Sequence, residues 1–288
     1  MIIGENREAV IKNIKANAEN GNFHGKVEIN DPVLTTEEKK EITDSFVERR
    51  RTFPFRAKTR IAVAFADYMT SKINKTTRIV GAEKIPSDIK GFIITSNHFS
   101  PLENTVVRYL TASLGRHDLN IIAQVTNFAM TGPIGFLMNY ARTIPISTEP
   151  HYLARDFMAL MREKLVERGE VVLLYPEQEM WFNYRKPRPP KDGAYFFAAK
   201  LGVPIVSCFV EIDDLDEDET PEFKKTKYVL HVLDVLTPDP SRSLKENTEW
   251  LGKEDYRLKK ECYENVYGRE LDYIFDKADI AGWKGALS

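Results

Sequence analysis

Apolar and polar residues recur with two different periods along this chain. In residues 57–73 the side chains Ile61, Phe65, Tyr68, Met69 and Ile73 repeat at helical spacing, which predicts an amphipathic helix. Residues 7–20 and 35–51 also read as helices. The second of these opens with Thr36 as a candidate N-cap, then Glu37, Glu38 and Glu41 at the positive end of the helix dipole, and Pro54 ends the segment. From residue 76 the pattern changes. Short apolar runs at 78–82, 91–96, 119–124, 171–175, 204–210 and 227–236 predict strands; 101–114, 151–168 and 193–201 predict helices. Residues 244–276 read as mostly helical, broken near Gly252 and Gly268. Strands alternating with helices predict an α/β fold, a mixed, mostly parallel sheet flanked by helices, with an N-terminal helical extension. The boundary falls between a helical region, 1–75, and an α/β domain, 76–288.

Composition narrows the function. Forty-one basic against 43 acidic residues give a net charge of −2, so no global basic excess favours nucleic acid as a partner. Two cysteines, Cys208 and Cys262, cannot build a disulfide framework, and reduced thiols are expected. No apolar run approaches the roughly 20 residues of a spanning helix. Residues 1–8 carry Glu5 and Glu8 and no apolar core of a signal peptide. A cytoplasmic protein, soluble or peripheral on a membrane, is the expectation.

The first chemical feature follows the strand at 91–96: Asn97-His98-Phe99-Ser100-Pro101-Leu102-Glu103. His98 falls where strand gives way to helix. Ser100 suits the N-cap, Pro101 the first helical position, and Glu103 the first turn. A histidine oriented by a carboxylate is the general-base half of a triad, able to take a proton from a bound hydroxyl. Ser100-x-x-Glu103 also has the form of a capping box, in which Glu103 returns to the Ser100 N–H. Spacing alone leaves both readings open. The five histidines lack zinc-ligand spacing, so no metal is expected.

Here the sequence resembles the glycerolipid acyltransferases typified by 1-acylglycerol-3-phosphate acyltransferase. Their hallmark is Asn-His, four residues, then an acid; the acid is normally Asp and is Glu103 in this chain. Arg78 to Ala82 with Ile85-Pro86 resembles the family's lead-in. Phe136 to Ile146 resembles its second block, a glycine-led apolar stretch ending in Arg, which matches Arg142. Tyr175-Pro176-Glu177-Gln178-Glu179-Met180 resembles the third, Phe-Pro-Glu-Gly-Thr-Arg, but departs from it at Gln178, Glu179 and Met180. Lys191-Asp192-Gly193 and Gly202-Val203-Pro204-Ile205-Val206 follow in the family's order. The resemblance covers residues 76–212.

The resemblance implies acyl transfer from a thioester, acyl-CoA or acyl-carrier protein, to a hydroxyl of a lysophospholipid such as 1-acylglycerol-3-phosphate. No further cofactor is expected. His98 would be the base and Glu103 its partner. Asn97, Arg142 and Glu177 would bind substrate, Arg142 through the acceptor's phosphate. Because Met180 replaces the family's second phosphate-binding Arg, the basic run Arg185, Lys186, Arg188 and Lys191 supplies candidate replacements, for the phosphate or for the anionic head of an acyl donor; a solvated basic loop is the other reading. Backbone N–H groups at 176–178, or near the helix start at Pro101, are candidate oxyanion donors. Trp181, Phe182 and Tyr184 read as core or as a membrane-contact edge. The departures at 178–180 keep open a catalytically silent lipid-binding or scaffold protein, and water as acceptor would make a thioesterase.

A lipid acceptor requires contact with a bilayer. Residues 49–60 carry six cations and two aromatics and lead into the amphipathic helix. This suits peripheral attachment to the inner face of the cell membrane, or packing on the catalytic domain. Residues 211–219 hold seven acids and predict a solvated loop.

Overall fold

A computed structural model describes residues 6–29 and 32–285. The reading of residues 1–8 as lacking a leader falls mostly on residues outside this range. Three helices come first: α1 (Arg7–Glu19), α2 (Thr36–Arg49) and α3 (Phe53–Ile73). Strands β1 (Arg78–Val80), β2 (Phe92–Thr95), β3 (Asn120–Gln124), β4 (Thr143–Ile146), β5 (Val171–Leu174), β6 (Ile205–Asp218) and β7 (Lys224–Leu236) form one sheet. Their order is β1-β7-β6-β2-β5-β3-β4, and every pair is parallel except β6 with β7. The expected mixed, mostly parallel sheet is therefore present, with β2 at its centre.

Helices cover both faces. On one lie α7 (Gly193–Leu201), α8 (Leu244–Tyr267) and residues 152–167, where wide π turns flank a short α6 (Met158–Arg162). Phe157, Tyr195, Leu251 and Ile93 are buried between these and the sheet. On the other face α4 (Asn104–Ser113) packs Val106, Val107 and Leu110 against Phe92, Ile94 and Leu173. A third cluster joins Val10, Ile11 and Ile14 of α1 to Trp181, Phe182, Tyr184 and Trp283.

Several boundaries differ from the sequence pattern for definable reasons. Thr35, not Thr36, caps α2: it accepts from the Glu38 N–H at 3.2 Å while Glu38 accepts from the Thr35 N–H at 2.7 Å. Pro54 does not end a helix but lies in the first turn of α3, where no N–H is required of it. α8 runs unbroken through Gly252; the glycine serves packing on α7 and not a break, since a Cβ there would sit 3.1 Å from the Tyr195 ring. The acidic stretch 211–219 is mostly strand, not loop. Its acids face lysines of β7 across the hairpin, Glu217 with Lys225 at 2.6 Å and Asp213 with Lys227 at 3.6 Å, and cross-strand opposite charges stabilise such pairing. Helix α5 (Gly132–Tyr140) and β4 were hidden inside one apolar stretch.

Candidate active site

β2 delivers His98 to the carboxyl edge of the sheet, beside the end of β5. Asn97, one residue earlier, is buried and turned toward β6. Its amide donates to the Val210 carbonyl at 3.0 Å and its oxygen accepts from the Val210 N–H at 2.8 Å. Asn97 therefore pins the loop to the sheet instead of facing a substrate, a correction to its expected role.

The helix expected from residue 101 begins at Asn104; residues 101–103 form a turn. This turn brings Glu103 back over the loop. One carboxylate oxygen, Oε1, bonds His98 Nδ1, and the other accepts from the Phe99 N–H and from the Ser100 N–H at 2.9 Å. The two readings of Glu103 are thus both present, one on each oxygen. Glu103 is buried, while the His98 side chain is 21% exposed and its Nε2 has no partner among the described residues. A histidine held through Nδ1 leaves Nε2 to accept a proton from solvent or substrate.

The turn after β5 closes the site. The Tyr175 ring stacks on the His98 imidazole, 4.2 Å between centroids and 7° from parallel. Its hydroxyl is buried without a hydrogen-bond partner, and burial, with the nearby charge of Glu103, holds it well above tyrosine's usual pKa. Glu177 accepts from the His98 N–H at 3.2 Å, from the Arg188 N–H at 3.0 Å and from Arg188 Nε at 3.1 Å. Gln178 has φ +66°, the left-handed conformation that favours glycine, and it stands where the family motif has Gly. The turn survives that substitution.

The predicted cations part company. Arg188 is buried beneath the site, paired with Glu177 at 2.9 Å and stacked 4.5 Å from the Trp181 ring. Lys186 is buried against Asp279 at 2.8 Å, and Arg185 spans to Asp214 and the Ile212 and Ala278 carbonyls. None of these three is a solvated loop charge, and Lys186 and Arg185 hold the C-terminal segment, not His98. Arg142 lies at the opposite edge of the sheet. It immediately precedes β4, whose start is level with Ile121 near the amino end of β3, whereas His98 follows the carboxyl end of β2. Trp181, Phe182 and Tyr184 are core.

Sequence reasoning missed two neighbours, Tyr175 and His24, and had Lys191 only as one of a basic run. Tyr175 was read only as a motif match, since stacking depends on fold. His24 lies with its Nδ1 3.4 Å from the Glu177 carbonyl; burial lowers its pKa, and Lys191 and Arg188 lower it further. Lys191 donates its N–H to Pro176, and its exposed ammonium meets no carboxylate among the described residues. The expected oxyanion donors are partly spent: the Gln178 N–H bonds the Tyr175 carbonyl, and the Leu102 N–H bonds Ser100 Oγ.

Comparison with known proteins agrees with this geometry. Residues 76–211 match the acyltransferase family model, so the match spans both His98-Glu103 and the Tyr175–Glu177 turn. No curated protein matches the sequence. Among solved structures, the 1-acyl-sn-glycerophosphate acyltransferase of Thermotoga maritima shares the fold, with a TM-score of 0.50 and 19% identity over 81% of this chain and 90% of that one. Residues 76–211 thus form an acyltransferase-family segment that holds the His98–Glu103 pair, within a fold like that of the Thermotoga enzyme.

Proposed function

We propose that the protein transfers a fatty acyl group from acyl-CoA or acyl-carrier protein to a hydroxyl of a lysophospholipid such as 1-acylglycerol-3-phosphate. The carrying observation is His98 held through Nδ1 by buried Glu103, with Nε2 unpartnered at the sheet's carboxyl edge. Nε2 removes the hydroxyl proton as the oxygen attacks the thioester carbon, and Glu103 steadies the imidazolium that forms. The proton then passes to the departing thiolate. The thioester is already activated, so no acyl-enzyme and no further cofactor is needed. Lys191, beside the Glu177 turn, is the exposed cation best placed for an acceptor phosphate.

Peripheral attachment at the inner face of the membrane belongs to the same proposal. No helix among the described residues is long and apolar enough to cross a bilayer. Yet α3 exposes Phe53 (80%), Ile61 (64%), Tyr68 (52%) and Phe65 (48%), while its buried positions are Ala62 and Thr70. An exposed apolar stripe beside the basic 49–60 stretch suits an interfacial helix.

The test is product analysis by mass spectrometry after incubating the full chain with each thioester donor and mixed lysophospholipids. Acylated lipid is expected, and His98→Ala should abolish it. Free fatty acid alone would mean water is the acceptor, and no product with any donor would overturn the reading. Co-sedimentation with anionic vesicles, lost on Ile61→Ser with Phe65→Ser, tests the membrane face.

A further inference from the structure

The amino edge of the sheet, opposite His98, holds a second charged cavity of about 450 Å³. The α2–α3 corner, the starts of β3, β4 and β5, and residues 160–168 enclose it. Seven cationic side chains line it against two carboxylates, Glu163 and Glu170, an excess of five positive charges. Arg50, Arg51 and Arg168 share Glu163, at 2.7, 3.4 and 2.7 Å, while Arg142 and Lys164 share Glu170 at 3.2 and 3.0 Å. Arg56 and Arg60 line the same space and meet no carboxylate among the described residues.

So many like charges around one partly enclosed space repel one another unless an anion joins them. Two further observations favour a ligand. Arg50 Nε and Thr59 Oγ1 are buried donors without a partner, and both residues line the cavity; orphaned buried donors are uncommon in native folds. The Phe46, Phe55 and Tyr140 rings, packed at 6.0 and 5.1 Å, give the cavity an aromatic wall. Guanidinium groups match phosphate oxygens bidentately.

We propose that this cavity binds a phosphate-bearing anion of two or more negative charges, at a site separate from the acyl-transfer centre. Arg142 serves here, and not at His98. The phosphate chemistry is common to a soluble phosphate compound and to a lipid headgroup presented where α3 meets a bilayer.

Isothermal titration of the full chain with inorganic pyrophosphate tests the soluble source. Sedimentation with phosphatidylcholine vesicles containing phosphatidic acid tests the headgroup. Arg56→Glu with Arg60→Glu should weaken binding at least about tenfold in one arm or both, and the arm names the source. Both side chains are exposed, so folding is not at risk. Lys72→Glu with Lys75→Glu makes the same change of charge at the far end of α3 and should weaken it far less. His98→Ala should leave pyrophosphate binding unchanged. The proposal is overturned by no binding in either arm, by equal losses from the two double substitutions, or by loss of pyrophosphate binding in His98→Ala.

Discussion

Replacing Glu103 by Gln should invert the tautomer of His98. The carboxylate serves His98 Nδ1 with one oxygen and the Phe99 and Ser100 N–H groups with the other. A glutamine amide keeps the shape but offers one acceptor oxygen and one donor NH2. If the oxygen serves the two backbone N–H groups, the NH2 faces Nδ1. Nδ1 must then accept, and the ring proton moves to Nε2, the atom that should receive the substrate's proton. With the amide turned the other way, two buried N–H groups lose their acceptor, at about 1–3 kcal/mol each. The first arrangement therefore wins. Activity should fall by the worth of a general base, about 10²–10⁴-fold. Stability should fall by only about 1–2 kcal/mol, because both backbone bonds persist with a neutral acceptor. Glu103→Ala, which orphans both donors, should cost more stability.

Thiol release from the thioester gives the rate, a denaturant midpoint gives the stability, and nitrogen NMR of the His98 ring reports the tautomer directly. Nδ1–H in the parent and Nε2–H in the variant is the expected pair. A variant within about threefold of the parent rate, with Nδ1 still protonated, would refute the assignment of Glu103 as the orienting group and leave it a capping residue alone.

Three other outcomes follow from the same geometry. Tyr175→Phe removes a buried hydroxyl without a partner and keeps the ring on His98, so stability should hold or rise by about 1 kcal/mol with the rate preserved; a rate loss above about tenfold would assign the hydroxyl a part in the chemistry. Asn97→Ala leaves the Val210 N–H and carbonyl unbonded and should cost about 2–6 kcal/mol in thermal or denaturant unfolding, while KM of the folded fraction stays unchanged; a raised KM at parental stability would restore Asn97 to substrate binding. The Arg50 guanidinium, against the opposing effect of burial, holds the Glu163 carboxyl at about 2, below its ordinary 4.5. Its stabilisation is complete above pH 4.5 and lost as pH falls toward 2, so the stability gap between parent and Glu163→Gln should close across that window. A gap independent of pH would contradict the pairing.

Alternating strand and helix patterns were enough to predict the sheet class, and His98 with Glu103 stood out because their partnership is local, five residues apart. The longer-range pairings carried no such signal. Arg188 is neutralised by Glu177, Lys186 by Asp279 and Arg185 by Asp214, partners 11, 93 and 29 residues away. A basic run of this kind looks the same in sequence whether it is solvated or buried in ion pairs. Gln178 shows the converse. It breaks a motif at the letter yet keeps the left-handed turn that the motif's glycine supplies.

Arg142 shows how much depends on one unread strand. β4 has four residues, one of them Pro145, and directly follows α5, so no break in the apolar pattern announces it. Proline is tolerated there because β4 is the edge strand and pairs only with β3. Without β4, Arg142 looks like the end of an apolar stretch, and hence a residue near the catalytic edge. With it, Arg142 is the left-handed turn residue before a strand, at φ +61°. A residue before a parallel strand and one after it lie on opposite edges of the sheet, about 13 Å or more apart at 3.3 Å per residue. That is beyond a side chain's reach, so the phosphate contact expected of Arg142 at His98 needs another cation, while Arg142 itself joins the cluster around Glu170.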